Sequence, residues 1–408
     1  MSDLELFPAE RDLRCDHGFA HVVSSALRDG LIPTTDFEFL PHSYVPLAAS
    51  VACLEPEAEK VLRDHLTRVH TCLRTIIHAY RGNAELRAFL AVPAEDLVLA
   101  DPKPSLDFCR FDLQGNRLGE VRIIEFNGGE TILGPLTTGL LARYWRETPT
   151  VGALLDRWQA PESVSEGDTW LVDELLSVAD AERIAVVTPA MAHDFVEFEV
   201  LKRQARLHDR VVFTTEPPDV DADLGVLVYP TSSVIRNRDA WTPMFDRVLA
   251  GDLALPNELA GRLIGSNKLC LAVMSDPRFR GLFTPEDAES IAALVPWSRK
   301  LGDGAEVSEV IAGQADLVLK DPYGAIGQSV HIGRECEPER WRELVQRCDG
   351  WLVQEHVAAQ RVGPFLRTMG VGFCGTRIVG YTGLLSRHTV TNSRFGPGGG
   401  IHAIIGGT

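Results

Sequence analysis

Two pairs of polar residues occupy alternate positions on neighbouring strand-like runs. Arg110 and Asp112 lie in the run CRFDL, and Glu125 and Asn127 end the run VRIIEFN. Residues two apart on a strand share a face, so a hairpin that sets Asp112 opposite Glu125 would gather two carboxylates, an amide oxygen and a guanidinium. Hard oxygen ligands of this kind suit Mg²⁺ together with substrate phosphates. The alternative is a solvated outer face, on which charges at alternate positions are common.

Two lysines farther along the chain stand beside glycine and could bind phosphate. Lys268 follows the residues GSN, which resemble a helix cap with exposed backbone N–H groups. Lys320 ends the apolar run LVLK and precedes a turn that contains Gly324, Gly327 and Ser329. Glycines let backbone N–H groups approach phosphate oxygens, and a lysine supplies charge. No Walker A sequence is present. The alternatives are a surface lysine and an ordinary hairpin turn.

Two further segments could complete a nucleotide site. Gln354 and Glu355 end the strand-like run WLVQE and could present backbone groups and a carboxylate to an adenine edge. Arg387, in GLLSRHTV, could bind a developing phosphoryl or acyl-phosphate charge. The neighbouring Ser386 and His388 do not indicate a hydrolase, because the chain lacks the G-x-S-x-G sequence of a nucleophile elbow.

Several elements must position these residues. Apolar residues at three- and four-residue steps predict an amphipathic helix from Pro56 to about Tyr80. The runs around Asp112 and Glu125 predict a β-hairpin with its turn near Gly115. A short helix is expected through 140–145 and a domain boundary in the polar stretch 147–168.

The second half of the chain alternates strands and helices. Strands at 183–187, 211–215 and 224–229, with a helix at 195–207, predict a small parallel α/β unit. The last fifty residues predict antiparallel strands. The predicted divisions are an N-terminal helical segment at 1–100, a metal-binding hairpin and central sheet at 101–165, the parallel unit at 166–255, a lid subdomain at 256–355 and a C-terminal part of the central sheet at 356–408.

The bulk composition narrows the class of protein. The 408 residues carry a formal charge of −17, which argues against a nucleic-acid partner. The eight cysteines contain no C-x-x-C pair, which is typical of reduced thiols. The acidic start of the chain does not resemble a signal peptide, and no stretch approaches the ~20 apolar residues of a membrane span. We expect a cytoplasmic protein without a membrane partner. A homodimer is the commonest assembly of such proteins and is the oligomer that we expect if the chain assembles.

The order of these motifs along the chain resembles that of a known family. RFDL with IIEFNGGET, then GSNKLCLAV, VLKDPYGAIGQSV, WLVQEHV and GLLSRHTVTNSRFGPGGG resembles the synthetase domain of the glutathionylspermidine synthase family, from about residue 55 onward. That family is a branch of the ATP-grasp superfamily. The resemblance implies a mixed α/β fold of the ATP-grasp type, in which the small parallel unit and the N-terminal helical segment flank the nucleotide site.

The resemblance also implies a role for each motif residue. Asp112, Glu125 and Asn127 match ligands of two Mg²⁺ ions on ATP. Arg110 and Arg387 match catalytic arginines near the reacting γ-phosphate. The remaining matches are to nucleotide-binding residues: Lys268 and Lys320 on the phosphates, Gly324, Gly327, Gln328 and Ser329 in a mobile lid, and Gln354, Glu355 and Val357 at the adenine hinge. The chain departs from the family at His388, where an acid is expected, and in its glycine-rich tail.

The resulting hypothesis is an ATP-dependent ligase that joins a carboxylate to an amine. The carboxylate would attack the γ-phosphate of ATP, and the amine would attack the acyl phosphate, with ADP and phosphate as co-products. Two alternatives remain open: a small-molecule kinase on the same fold, and a non-catalytic nucleotide-binding or scaffold protein.

Overall fold

The computed structural model describes residues 4–13, 47–129, 133–187, 201–202, 204–214, 222–227, 231–325, 327, 329–390 and 399–407. The strands are β1 (Asp12–Leu13), β2 (Leu47–Cys53), β3 (Phe108–Gln114), β4 (Arg122–Asn127), β5 (Ile184–Val187), β6 (Val211–Thr214), β7 (Leu224–Leu227), β8 (Ser298–Leu301), β9 (Gly304–Ala305), β10 (Leu317–Lys320), β11 (Val330–Ile332), β12 (Leu352–Glu355), β13 (Gln360–Val362), β14 (Phe365–Cys374), β15 (Arg377–Ser386) and β16 (Gly399–Ile405).

The α-helices follow in the same order along the chain. They are α1 (Pro56–Tyr80), α2 (Ala84–Leu90), α3 (Glu95–Ala100), α4 (Leu133–Glu147), α5 (Pro149–Arg157), α6 (Trp170–Val178), α7 (Thr231–Arg236), α8 (Arg238–Ala250), α9 (Leu259–Gly265), α10 (Leu269–Ser275), α11 (Pro285–Leu294), α12 (Val307–Ala312) and α13 (Pro338–Arg347). None of these described helices is long and apolar enough to cross a lipid bilayer.

The largest sheet has the order β1-β2-β16-β15-β14-β3-β4, with β13 paired to β14. All its pairs are antiparallel except β16 with β2. Strand β2 lies inside the range predicted as an N-terminal helical segment, so that prediction was incomplete. It missed the strand because β2 pairs with β16 at the other end of the chain, and local periodicity does not reveal such long-range pairing.

The two faces of this sheet pack against different helices. In β3, Cys109, Phe111 and Leu113 lie in a core with α1 and with the helices α9, α10 and α11. Phe108, one residue earlier, lies in a second core with α4, α5 and α6. Alternating side chains of a strand point to opposite faces, so Arg110 and Asp112 share the face of Phe108. The functional side chains therefore project from the face opposite α1.

Helix α1 confirms the predicted amphipathic helix with the same bounds. Pro56 occupies its first turn, where the missing N–H costs nothing, and Glu57 and Glu59 lie near the positive end of the helix dipole. Leu62, Leu66 and the other apolar residues of the predicted face are buried. One long helix thus supports the back of the large sheet.

The polar stretch predicted as a domain boundary is folded. It contains α5 and a 3₁₀ turn at Val164–Glu166, which packs on α4. Arg146 Nε lies 2.7 Å from Glu166 Oε2, and the turn passes directly over Gly139. Helix α4 is also longer than the predicted 140–145, because its buried apolar face continues along the sheet.

Two smaller sheets flank the large one. The strands β5, β6 and β7 pair in parallel, as the sequence predicts, and their order is β6-β5-β7. Residues 201–202 and 204–206 of the helix expected at 195–207 are helical, and 188–200 lie outside the described residues. The other sheet has the order β11-β10-β12-β8-β9, and α13 covers it through the buried Trp341. Three of the residues predicted to bind nucleotide, Lys320, Gln354 and Glu355, line a cleft beside this sheet.

Candidate nucleotide site

The β3–β4 hairpin forms with the predicted register. Asp112 pairs with Glu125, and Arg110 pairs with Asn127, so the four side chains share one face. The Arg110 guanidinium donates to both carboxylate oxygens of Asp112, at 2.7 Å from Nε and 3.0 Å from Nη2. Asn127 Nδ2 donates to Asp112 Oδ2 at 3.2 Å. The sequence-predicted hairpin therefore gathers one compact charged group.

A bulge in the hairpin frees a backbone carbonyl group that contacts a lysine. Leu113 pairs with Ile123 while Asp112 pairs with Glu125, so Ile124 has no partner in the register. A bulged residue is released from the strand ladder. The Ile124 carbonyl oxygen accepts a hydrogen bond from Lys320 Nζ at 2.8 Å. The bulge thus joins the end of β10 to the middle of β4.

Lys320 is buried, and among the described residues no carboxylate forms an ion pair with its ammonium. Its second acceptor is Gln354 Oε1 at 2.6 Å, on the adjacent strand β12. Burial lowers the pKa of Lys320 to about 8, while the charges of Glu125 and Asp112 raise it and that of Lys268 lowers it. All four groups therefore lie close enough to influence one another. A buried cation held by neutral acceptors keeps its charge available for an anionic ligand.

Lys268 approaches the same carboxylates from α10. Its Nζ lies 3.1 Å from Glu125 Oε1 and donates to the carbonyl oxygen of Gly324. Lys268 is buried, so the surface alternative does not hold. The expected cap with exposed N–H groups is also wrong. The N–H groups of Ser266, Asn267 and Lys268 donate to carbonyl oxygens of Arg262, Ile264 and Pro322.

The loop after β10 is fixed at one end by Tyr323. The Tyr323 hydroxyl donates to the Leu263 carbonyl oxygen at 2.8 Å and accepts from Asn267 Nδ2 at 3.2 Å. At the other end Gly327 has a φ of +70°, and an added Cβ would lie 2.5 Å from Val390 Cγ1. Glycine at this position lets the loop approach the segment after β15. Gln328, predicted in this lid, lies outside the described residues.

A cleft of about 750 Å³ opens between the two sheets beside the charged group. Its polar end includes Asp112, Glu125 and Lys320. Its apolar walls face each other from β10 and β11 on one side and from β4 and β15 on the other. The lining residues predicted from sequence are Asp112, Glu125, Lys320, Gly327, Gln354, Glu355 and Val357, and those not predicted include Gln114, Ile124, Val318, Val330, Ile332, His356, Thr368, Leu384 and Val390.

Gln114 is the missed residue that sequence could have indicated. It continues the alternation of Arg110 and Asp112 along β3, and its Nε2 donates to Thr368 Oγ1 at 3.2 Å inside the cleft wall. Arg387, in contrast, does not line the cleft. It is exposed, with its guanidinium carbon 5.0 Å from the centre of the Phe365 ring. The predicted position of Arg387 beside a phosphoryl group differs from its place in the structure.

Ser329 belongs to a neighbouring part of the loop. Its carbonyl oxygen accepts from the Asp321 N–H at 3.1 Å, which closes the turn that contains Gly324. Ser329 and Gly324 line a separate pocket on this loop. Of the described lid residues, Gly324 and Ser329 therefore line this separate pocket, and Gly327 lines the cleft.

No protein-family model matches the chain, and no curated protein matches its sequence. A solved structure does: a glutathione synthetase-like effector from Globodera pallida, in its apo form. The TM-score is 0.54 at 12% identity, over 93% of this chain and 97% of that chain. The two proteins share a fold. The likeness supports the mixed α/β fold that the sequence predicts.

A second solved structure is less similar. A putative γ-glutamylcysteine synthetase from Methylobacillus flagellatus has a TM-score of 0.41 at 11% identity, over 80% of this chain and 84% of that chain. This likeness carries no argument here. At 12% identity the likeness to the effector establishes the fold alone.

Gly370 makes room for the Arg110 guanidinium. Gly370 lies in β14 and pairs with Asp112 of the neighbouring strand β3. A Cβ added at Gly370 would lie 2.9 Å from Arg110 Cδ and 3.4 Å from Asp112 Oδ1. We expect Gly370→Ala to shift Arg110 off Asp112 and to slow nucleotide turnover by about tenfold, the scale of one displaced charged contact. Phosphate-release kinetics test this expectation. Gly119→Ala, on the same hairpin with nothing within 4 Å, is the control; equal rates for the two variants would contradict it.

Proposed function

We propose that the chain is an ATP-dependent ligase that joins a carboxylate to an amine through an acyl phosphate. One observation carries the proposal: two lysines from distant parts of the chain converge on Glu125 and its neighbour Ile124, and Lys320 and Glu125 line a cleft whose walls carry both apolar and polar side chains. A concave site that combines apolar surface with a few convergent charged groups is typical of a small-molecule site. Adenine followed by a triphosphate needs both kinds of surface.

The apolar side chains of the cleft suit the adenine base of ATP. Val318 and Ile332 pair across β10 and β11 on one wall, and Leu384 of β15 lies on the other. Glu355, the last residue of β12, and Val357, just beyond it, also line the cleft. Backbone N–H and C=O groups at this strand end can form hydrogen bonds with an adenine edge, as the sequence resemblance implies. In this arrangement the phosphates extend toward Lys320.

The charge of the polar end suits a triphosphate. With Lys320 protonated, three cations, Arg110, Lys268 and Lys320, surround two carboxylates, Asp112 and Glu125. These five side chains together carry one net positive charge, although the chain as a whole carries a formal charge of −17. Local groups dominate over distant ones because solvent screens charges separated by more than a Debye length.

The donor set fits Mg²⁺. Asp112, Glu125 and Asn127 offer hard oxygen atoms on one face of the hairpin, and Mg²⁺ needs one or two carboxylates plus phosphate oxygens and water. Among the described residues no group of three or more His, Cys, Asp or Glu side chains could hold a metal. The ion would neutralise charge on the transferring phosphoryl group. Two ions are proposed from the sequence resemblance.

The remaining residues have distinct tasks. Lys268 and Lys320 would bind phosphate oxygens, and Arg110, which contacts Asp112, would stabilise charge on the reacting γ-phosphate. Tyr323 holds the loop against Leu263 and so limits the entry of water, which would hydrolyse an acyl phosphate. The finer relationship, to the glutathionylspermidine synthase family, is part of this proposal. Arg387 contributes only if the segment after β15 moves.

Product analysis tests the reaction. Incubation of the protein with ATP, Mg²⁺ and pools of amino acids, peptides and polyamines should give ADP, phosphate and one new amide, detected by mass spectrometry. A stable phosphorylated compound that forms without an amine would identify a kinase instead. Nucleotide binding with no turnover in any pool would favour the non-catalytic alternative.

A further inference from the structure

A second pocket, of about 810 Å³, lies between α7 and the loop that follows β10. Its walls combine polar side chains of α7 with loop residues, and Pro93 closes one side. The lining residues are Pro93, Ser232, Ser233, Ile235, Arg236, Asp321, Tyr323, Gly324, Ala325 and Ser329. The pocket is thus more polar than the cleft between the sheets, and it calls for a different kind of ligand.

The pocket offers one group of each charge. Arg236 stands on α7, where its Nε donates to the Ser232 carbonyl oxygen at 3.2 Å and its Nη2 lies 3.5 Å from Ser233 Oγ. Asp321 stands on the loop, where its Oδ1 accepts from the Tyr323 N–H at 2.8 Å. The serine hydroxyls can donate or accept beside both groups. A ligand with a carboxylate and an ammonium group matches this lining.

The position of the pocket links it to the proposed nucleotide site. Gly324 lines the pocket, and its carbonyl oxygen accepts from Lys268, whose ammonium also contacts Glu125 in the cleft. At the base of α7, Thr231 Oγ1 lies 3.0 Å from Ser266 Oγ, close to Gly129 at the end of the β4 hairpin. Lys268 therefore stands between the two cavities.

Two helix ends set the path of the segment that closes the pocket. Ala91 and Ala94, on either side of Pro93, have φ values of +44° and +59°. Ala91 is the left-handed C-cap of α2, with its N–H bonded to the Arg87 carbonyl oxygen, and Ala94 directly precedes α3. These two turns hold Pro93 in the pocket wall.

We propose that this pocket binds the amine-bearing substrate, an amino acid or short peptide whose free carboxylate contacts Arg236 and whose amine lies toward Asp321. The inference rests on the proposed ligase function. A polyamine fits less well, because Asp321 is the only carboxylate in the described lining and Arg236 would repel a second ammonium. The carboxylate on Arg236 determines which amines are accepted.

The test compares free acids with their amides. Saturation-transfer NMR is recorded on the full chain with glycylglycine, L-alanyl-glycine and L-alanine, each beside its C-terminal amide, and with spermidine. We expect at least one free acid to bind and its amide to bind about tenfold or more weakly. Arg236→Gln should remove this preference. Arg238→Gln, two residues away and paired with Asp96 outside the pocket, should retain it.

The outcomes separate the two proposals. Binding of spermidine that survives Arg236→Gln, or binding of no free acid in the set, overturns the inference about the pocket. Nucleotide binding is followed separately with a fluorescent ATP analogue. Failure of that analogue to bind would refute the ligase and leave the acid preference of the pocket as an independent measurement.

Discussion

Glu125→Gln is expected to reduce ATP turnover by on the order of 10²-fold or more, the scale of losing one preorganised charge-stabilising group. The amide has nearly the same shape as the carboxylate, so packing in β4 changes little. It removes the charge that contacts Lys268 at 3.1 Å and that would bind Mg²⁺. Phosphate release at saturating Mg²⁺ and ATP measures the effect. Asp112→Asn should act in the same direction, because Asp112 pairs directly with Glu125.

Glu120→Gln is the matched control for this experiment. Glu120 is an exposed carboxylate on the turn of the same hairpin, five residues before Glu125 along the chain. Its loss should leave turnover within about twofold, because a surface charge contributes little to a distant site. Normal turnover by both Glu125→Gln and Asp112→Asn, with the true substrates, would show that these carboxylates do not hold the metal.

Local patterns in the sequence predicted the elements that carry the site. Alternation along β3 and β4 predicted the hairpin and its register, because the side-chain period of a strand is two. The periodicity of α1 predicted a helix with the observed bounds. These predictions succeeded because each depends on residues within one or two elements, where the pattern of burial is set by neighbouring positions.

The contacts that complete the site could not be read from local patterns. The bulge at Ile124 depends on how β3 and β4 pair, and it places a carbonyl oxygen where Lys320 needs an acceptor. The fit of Gly370 against Arg110 depends on a strand about 260 positions farther along the chain. Both follow from long-range packing, to which composition and periodicity are insensitive.

The position of Arg387 illustrates a different limit. Matching a motif assigned Arg387 to the reaction centre, yet its guanidinium lies over Phe365 at the surface. A cation–π contact at an exposed site is worth about 0.5–1 kcal/mol, so it does not prevent the side chain from moving. A motif identifies a residue type, whereas the position of the side chain in the fold depends on the surrounding segment.

The lowered pKa of Lys320 predicts that nucleotide affinity and folding stability depend on pH in opposite directions. Its pKa is lowered to about 8 from an ordinary value of 10.5, chiefly by burial, so the ammonium is lost as the pH rises through about 8. Triphosphate favours the charged form, and we expect nucleotide affinity to fall above this pH. Binding near pH 8.5 should take up a proton, which calorimetry in buffers of different ionisation enthalpy detects. Stability should show the opposite sign, because between about 8 and 10.5 the unfolded chain binds more protons than the folded one.

Lys320→Met separates this titration from others in the protein. The variant should bind nucleotide roughly 10- to 100-fold more weakly at pH 7, the scale of a hydrogen bond to a charged group, and should take up no proton at pH 8.5. Lys300→Met is the matched control, because Lys300 lies in the same sheet, donates to the Phe89 carbonyl oxygen and has a pKa also lowered by burial. Proton uptake that persists in Lys320→Met and disappears in Lys300→Met would place the titrating group elsewhere. The triphosphate would then not lie beside Lys320.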